Sequence, residues 1–222
     1  MLAFYKNLLF TAAVLMLVVN GYGQESNTHN GGNVYSTVWI GNQLWMSTNL
    51  NIETYQNGDT IPEVQDVKEW ERLTTGAWCY FNNDSSTEKT YGKLYNWYAV
   101  TDSRGLCKGG GRVPIDENWQ VLVDYLGGYK MAGEKLRKAE KDIWRSETGE
   151  NGNISGFSGL PGGIRGVRAK FMLLGTRGNW WSSSDLNESS AWYRFIDAEN
   201  NHIYRSFANY KHFGMSVRCV GN

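Results

Sequence analysis

Apolar and polar positions along this chain of 222 residues outline many short elements and few long ones. Val38, Ile40, Trp45 and Met46 flank Gly41-Asn42, the pattern of two strands joined by a tight hairpin turn. "YQNGDTIP" (Tyr55–Pro62) is turn chemistry, and "DVKEWERL" spaces Val67, Trp70 and Leu73 by threes, which predicts a short helix. "GAWCYFNND" (Gly76–Asp84) reads as a strand running into an Asn/Asp/Ser loop. In "YGKLYNWYAV" (Tyr91–Val100) Leu94, Trp97 and Tyr98 stand at i, i+3, i+4, the core face of another short helix. The clearest helix follows Pro114 and Ile115. Asp116 is a good N-cap, Glu117 suits the first turn, and Trp119, Leu122, Val123 and Leu126 share one face. Gly127-Gly128 ends it, and a second short helix is expected over Gly133–Ala139.

From Asn151 the periodicity fades. Glycines recur in "SGFSGLPGGIRG" and "LGTRGN", predicting tight connections rather than regular elements. "SAWYRFIDAENNHIYRSF" reads as two strands joined by an Asn-rich turn, and "GMSVRCV" alternates Met215, Val217 and Cys219 onto one face. This order predicts an α+β fold: two short helices, antiparallel strands and a long Gly-rich loop region. In a strand, Trp180 and Trp181 point to opposite faces, so they cannot form one flat sugar platform, and at least one ring belongs to the core.

The first residues follow a different logic. "LLFTAAVLMLVV" (Leu8–Val19) is an apolar run after one positive charge, and "NGYGQ" offers small residues before a cleavage point at Gly23. That is the pattern of a secretory signal peptide over residues 1–23, too short for a stable membrane anchor. No cysteine ends the run, so a lipid-modified terminus is not supported. A polar lead over residues 24–37 then precedes one domain over residues 38–222. Lys+Arg and Asp+Glu balance at 22 each, giving nucleic acid nothing to bind. The 10 Trp, 13 Tyr and 26 Gly fit a loop-rich fold pinned by large rings. In an exported chain, two of Cys79, Cys107 and Cys219 are expected to pair, leaving one that is buried or reactive.

Catalytic chemistry has little to build on. His29, His202 and His212 lack metal-site spacing, and "NNDSSTE" (Asn82–Glu88) lacks the spacing and central glycine of an EF-hand loop. "GLPGGIRG" lacks the Gly-Lys-Ser/Thr ending of a phosphate loop. No cofactor motif is present. Arg165, Arg168, Lys170 and Arg177 read as a basic cluster on a solvated face. The late strands carry the Tyr/Asn/Arg/Ser mixture of adaptable recognition surfaces. If Ala191, Tyr193 and Phe195 face one way, Trp192, Arg194 and Ile196 face the other. Asp185, Asn187, Trp192, Arg194, Tyr204, Arg205 and Tyr210 are the candidate ligand-binding residues.

In order along the chain, "IGNQLWMSTNL", "YGKLYNWYAV", "LC", "VP", "YLGG", "AGEKL", "SGFSGLPGG", "WWSSS" and "SVRCV" resemble the Fibrobacter succinogenes major paralogous domain, from about Val38 to Val220. The resemblance extends to the C-type lectin-like fold, in the branch shared with formylglycine-generating enzymes. It implies exported bacterial proteins with no established activity, and a late region that forms the ligand-binding surface. It also implies a Cys107–Cys219 disulfide, leaving Cys79 free; closing such a loop contributes roughly 4–5 kcal/mol in the chain-entropy model. The chain departs from the family pattern at "LCKGGGRVPIDENW", where Gly111 replaces a tryptophan, Arg112 a histidine, Lys108 a proline, Ile115 a small hydroxyl residue and Asn118 a carboxylate. Either another group fills the lost ring's space or this bend is looser. The Glu-Pro-Asn and Trp-Asn-Asp motifs of calcium-dependent lectins are absent, as is a close pair of cysteines like the copper-binding pair of the formylglycine-generating enzymes. The expectation is an exported, non-catalytic module that binds a carbohydrate or an envelope or extracellular protein. A structural component of an extracellular assembly is the alternative, and a formylglycine-generating-type oxidase a more distant one.

Overall fold

The computed structural model describes residues 25–30, 33–140, 143–145, 152–200 and 202–221. The stretch read as a signal peptide lies outside them. The elements are β1 (Glu25–Asn30), β2 (Asn33–Ile40), β3 (Gln43–Met46), α1 (Val67–Glu71), β4 (Trp78–Cys79), α2 (Glu88–Tyr91), β5 (Leu94–Tyr95), α3 (Trp97–Val100), α4 (Asp116–Tyr125), α5 (Tyr129–Leu136), β6 (Gly162–Arg165), β7 (Phe171–Leu174), β8 (Arg177–Asp185), β9 (Ala191–Asp197) and β10 (Ile203–Ala208). All the sheets are small and antiparallel: β1-β2-β3, β10-β9-β8, β4-β5 and β6-β7. The fold is mixed α+β.

The Gly41-Asn42 hairpin forms as its pattern predicts, with Ile40 opposite Gln43. The polar lead does not stay a lead: Glu25–Asn30 pairs along its length with β2. That strand is defined by its backbone register, and its sequence ESNTHN has no apolar residue for periodicity to pick out. The α1 helix is capped by Asp66, whose carboxylate accepts the Glu69 N–H at 2.8 Å, and it buries Trp70. In the Tyr91–Val100 segment the expected helical face is corrected. Leu94 lies in β5, and the helix starts only after Asn96, whose side chain accepts the Ala99 N–H at 3.0 Å; Ala99 and Val100, not Trp97 and Tyr98, are its buried residues. The cap residue resets the period.

Trp119, Leu122, Val123 and Leu126 are all buried, as the α4 pattern predicts. The backbone cap is Ile115 rather than Asp116, and the Ile115 N–H donates to Asn118 Oδ1 at 3.1 Å. Asn118 thus supplies an acceptor where the family pattern has a carboxylate. The second helix begins earlier than expected: Leu126 caps α4, Gly127 at φ +96° turns the chain, and Gly128 at φ +89° is already the N-cap of α5. The Gly-rich stretch is also corrected: it contains the β6–β7 hairpin. Gly163 sits in a strand because a Cβ there would meet the Met172 carbonyl at 2.6 Å, so this glycine marks a close approach rather than a loop.

Trp180 and Trp181 are both fully buried and on opposite faces of β8, as the strand argument requires. Trp180 joins Trp45, Trp119 and Phe157 in one core, with ring centroids 4.8–6.4 Å apart. Trp181 belongs to a second core with Trp78, Tyr95, Val217 and the disulfide. Cys107 and Cys219 are bonded, 112 residues apart in sequence, and Cys79 is the free, buried cysteine. Beside the disulfide, Gly111 borders a cavity of about 50 Å³ lined also by Leu44, Met46 and Val220. The space is not fully taken up by another side chain.

The segment 214–221 runs between the two cores and exchanges backbone hydrogen bonds with seven partners, among them Met46, which donates to the Cys219 carbonyl, and Leu44, which accepts from the Gly221 N–H. Gly214 pairs with Arg165, Met215 with Tyr95, Trp181 donates to Ser216, Leu50 donates to Val217, and Val220 pairs with Arg112. Met215, Val217 and Cys219 alternate inward as predicted, but no single ladder is long enough to make the segment a regular strand. Between them lies Arg218, completely buried. Its guanidinium donates to Asn49 Oδ1 (2.8 Å) and to the carbonyls of Met46 (2.9 Å), Phe157 (2.6 Å) and Ser158 (2.9 Å). Replacing Arg218 by Leu strands these acceptors, and a loss of about 3 kcal/mol or more is expected. Arg218→Lys recovers only part of it, since an ammonium cannot reproduce the planar fork. Urea unfolding monitored by tryptophan fluorescence checks both values, and a variant as stable as the parent refutes the role.

Candidate functional site in the late antiparallel sheet

Register fixes which side chains of the late sheet share a face. Trp192 stands opposite Phe207, Arg194 opposite Arg205, and Ile196 opposite Ile203. Trp180 on β8 is the partner of Arg194. Trp192, Arg194 and Ile196 therefore share one face, as their alternation predicts. Ile196 and Ile203 are buried in the core around Trp119 and Trp180.

Moving outward along this face, apolar packing gives way to charge. Arg194 is 3% exposed, and its Nη2 lies 2.7 Å from Asp116 Oδ1. Arg205 Nε donates to the other carboxylate oxygen, also at 2.7 Å. Asp116 is the first residue of α4, where the helix dipole favours a negative charge. The Arg194 Nε has no hydrogen-bond partner, so the carboxylate is the group that answers its buried charge. Burial pushes this guanidinium below its ordinary range, while the neighbouring Asp116 opposes that shift. The Arg205 guanidinium lies 3.5 Å over the Trp192 ring, and Phe207, about half exposed, meets Trp192 edge-on at 6.0 Å. Arg194, Asp116, Arg205, Trp192 and Phe207 form a continuous run from the interior to solvent.

The other candidate residues do not join this group. Tyr204 lies on the opposite face, stacked on Phe195 at 4.7 Å, and its hydroxyl accepts from Asn200 Nδ2 at 3.0 Å. Tyr210 sits in the loop after β10, stacked on His212. Asp185 ends β8 exposed, and Asn187 braces the following turn by accepting the N–H groups of Ser189 and Ser190 at 3.0 and 2.9 Å. Asp116 and Phe207 are the residues that sequence reasoning missed. Asp116 reads as a helix cap, and nothing in the chain pattern ties it to arginines 78 and 89 positions away.

The basic cluster is also corrected. Arg165 is fully buried, donating to the carbonyls of Val64 and Gln65 at 2.7 Å each and lying over Trp70 at 4.3 Å. Arg177 pairs with Asp197 at 2.7 Å and covers Phe195. Backbone carbonyls hold the first guanidinium and a carboxylate the second, each over an aromatic ring, while Arg168 and Lys170 are exposed as the solvated-face reading expects.

A model of the Fibrobacter succinogenes major domain matches residues 38–221. The chain belongs to this family. No curated protein and no solved structure matches it. Asp116, Arg194, Trp192, Arg205 and Phe207 all lie inside the span of the Fibrobacter succinogenes major domain, so the run is part of that domain and not an appendage. So does Cys79, which is wholly buried; desolvation pushes its thiol from 9.0 up to about 12. Among the described residues no helix is long and apolar enough to cross a membrane.

Two outcomes follow from this geometry. Asp116→Ala leaves Arg194 buried without its carboxylate and is expected to cost about 3–5 kcal/mol. Arg205→Ala, at an exposed position, is expected to cost no more than about 1 kcal/mol. Equal losses in urea unfolding would contradict this division. For Cys79, a raised thiol value favours the folded state below the unfolded thiol's own pKa of about 9, and that contribution is lost as pH rises towards about 12. A thiol reagent at pH 8 should find no reactive group in the native protein and one after unfolding.

Proposed function

We propose that the protein is an exported, non-catalytic recognition module of C-type lectin-like architecture, and that the Trp192–Arg205–Phe207 face binds an envelope or extracellular protein. The observation that carries this reading is the Arg205 guanidinium seated 3.5 Å over Trp192, with Phe207 exposed beside it. A sugar ring would need an open indole face, and here the guanidinium occupies one. Trp and Arg held together beside an exposed aromatic are instead the residues that dominate protein–protein binding energy. The surface is rigid before binding, because Asp116 fixes Arg205 and is itself fixed by Arg194 and the α4 terminus. That reduces the ordering cost of association.

Export is supported by the apolar run at Leu8–Val19 with small residues before Gln24, and by the disulfide, which persists in oxidising compartments. The C-type lectin-like reading is supported by a cysteine ahead of the Gly-rich bend and α4 bonded to one in the closing segment. The non-catalytic reading is supported by the burial of Cys79, the only free thiol among the described residues, which pushes the thiol up to about 12.

The test is affinity capture from envelope extract, followed by titration of the purified captured protein against the parent and two variants. Trp192→Ala and Phe207→Ser should each weaken binding by roughly tenfold or more while leaving the melting transition in place. Affinity unchanged in both variants sinks the assignment of this face. Concentration-dependent self-association abolished by the same variants would replace an external partner with a second copy of the chain, as in an extracellular assembly.

A further inference from the structure

None of the late-sheet candidates borders a second feature, a cleft of about 890 Å³ walled by five separate parts of the chain: residues 35–36, 47–51, 88–92, 158–160, and Lys138 and Glu140 with Ile143. Its volume falls in the range of small-molecule sites, yet its walls are unusually polar for one. Ser47, Thr48, Thr90, Ser158 and Asn51, hydroxyl and amide residues, line it from different sides.

These groups are held in place. Asn51 Nδ2 donates to Glu88 Oε1 at 3.0 Å, and its Oδ1 accepts from Lys93 Nζ at 2.6 Å. Lys93 is 1% exposed, lies against the rings of Trp78 and Tyr80, and donates to Glu88 at 3.0 Å. On another wall, the Asn153 amide clamps Ser158 twice: its Oδ1 accepts the Ser158 N–H at 2.6 Å and its Nδ2 donates to Ser158 Oγ at 2.9 Å. Polar groups fixed before binding lose little freedom when a ligand arrives.

Charge selects the ligand class. Glu88 is answered by the buried Lys93, and Lys138 pairs with Glu140 across the cleft's edge. With only Lys89 left over among the charged lining residues that are described, these walls offer no concentrated field for a phosphate or a polycation. A peptide strand would need an open sheet edge, but β2 is paired on both sides, by β1 and β3. Hydroxyls and amides, each able to donate and accept, match a ligand that is itself a dense array of hydroxyls. Tyr35, Ile143 and Leu160 supply apolar patches for its C–H faces.

We propose that this cleft is a binding site for an uncharged saccharide, separate from the protein-recognition face. The two assignments stand or fall independently. The test titrates the full chain with neutral gluco-, manno- and xylo-oligosaccharides of three to six units, read by amide chemical shifts and calorimetry. Inorganic phosphate, an oligogalacturonate and a mixed short-peptide pool serve as comparison probes. Saturable binding of at least one neutral series is expected, with shifts centred on residues 47–51 and 88–92. Thr90→Arg, which fills the cleft from an exposed position, should weaken it roughly tenfold or more, while Phe207→Ser leaves it unchanged. Thr48→Arg repeats the test from another wall should the first variant fold poorly, as judged by its melting curve. No binding up to about 10 mM, affinity untouched by the cleft variants, or preference for phosphate, the acidic oligomer or peptide would each overturn the proposal.

Discussion

A single guanidinium with no carboxylate organises the centre of this domain. Arg218 is completely buried, and burial pushes it down to about 9, which leaves it charged at neutral pH. Its charge is spread over four oxygens, three of them backbone carbonyls, and its plane rests 4.4 Å from the Phe157 ring. The fourth oxygen belongs to Asn49, whose amide also receives the Trp180 indole N–H at 2.9 Å and donates to the Tyr91 carbonyl at 2.8 Å. One arginine and one asparagine thereby set how the closing segment, the loop after β3, the Gly-rich stretch and β8 meet. Such a network is favourable only when every member is satisfied, so each of these loops is constrained by the others.

The late sheet inherits this rigidity. Trp180 and Trp181 pin opposite faces of β8 into the two cores, and β9 and β10 extend from that fixed strand. The run of Asp116, Arg194 and Arg205 then ties their outer ends to α4. The face carrying Trp192 and Phe207 is therefore a projection of the core, not a loose appendage. The polar cleft is built on a different principle, with buried Lys93 and the Asn153 amide acting as clamps beneath its walls.

What could be read from the sequence was what depends on neighbours in the chain. The β2–β3 hairpin, the apolar face of α4, the pairing of β9 with β10 and the alternation at Met215, Val217 and Cys219 are all local patterns, and they hold. The disulfide came from family resemblance, not from spacing. What escaped were partners distant in sequence. Asp116 looked like a cap because its arginines are far away in the chain, and Arg165 looked solvated because its carbonyl slot is made by residues 64 and 65. Glycine misled for a related reason: at Gly163 it makes room for a neighbouring strand, which only tertiary structure reveals. Of the seven candidate site residues, alternation correctly grouped Trp192 with Arg194, and register added Arg205; the others are held apart by turn and loop geometry.

The placement of residues 214–221 has a consequence for how the domain assembles. Segments near residues 46, 50, 95, 112, 165 and 181 all bond to this stretch, which follows every one of them in the chain. Neither core can close around a template that has not yet been made. Contacts of such long sequence separation are slow to nucleate, so partial chains should remain open and vulnerable to proteases. Folding should then proceed as one late event, with residues 214–221 arriving as the piece that lets all the others lock.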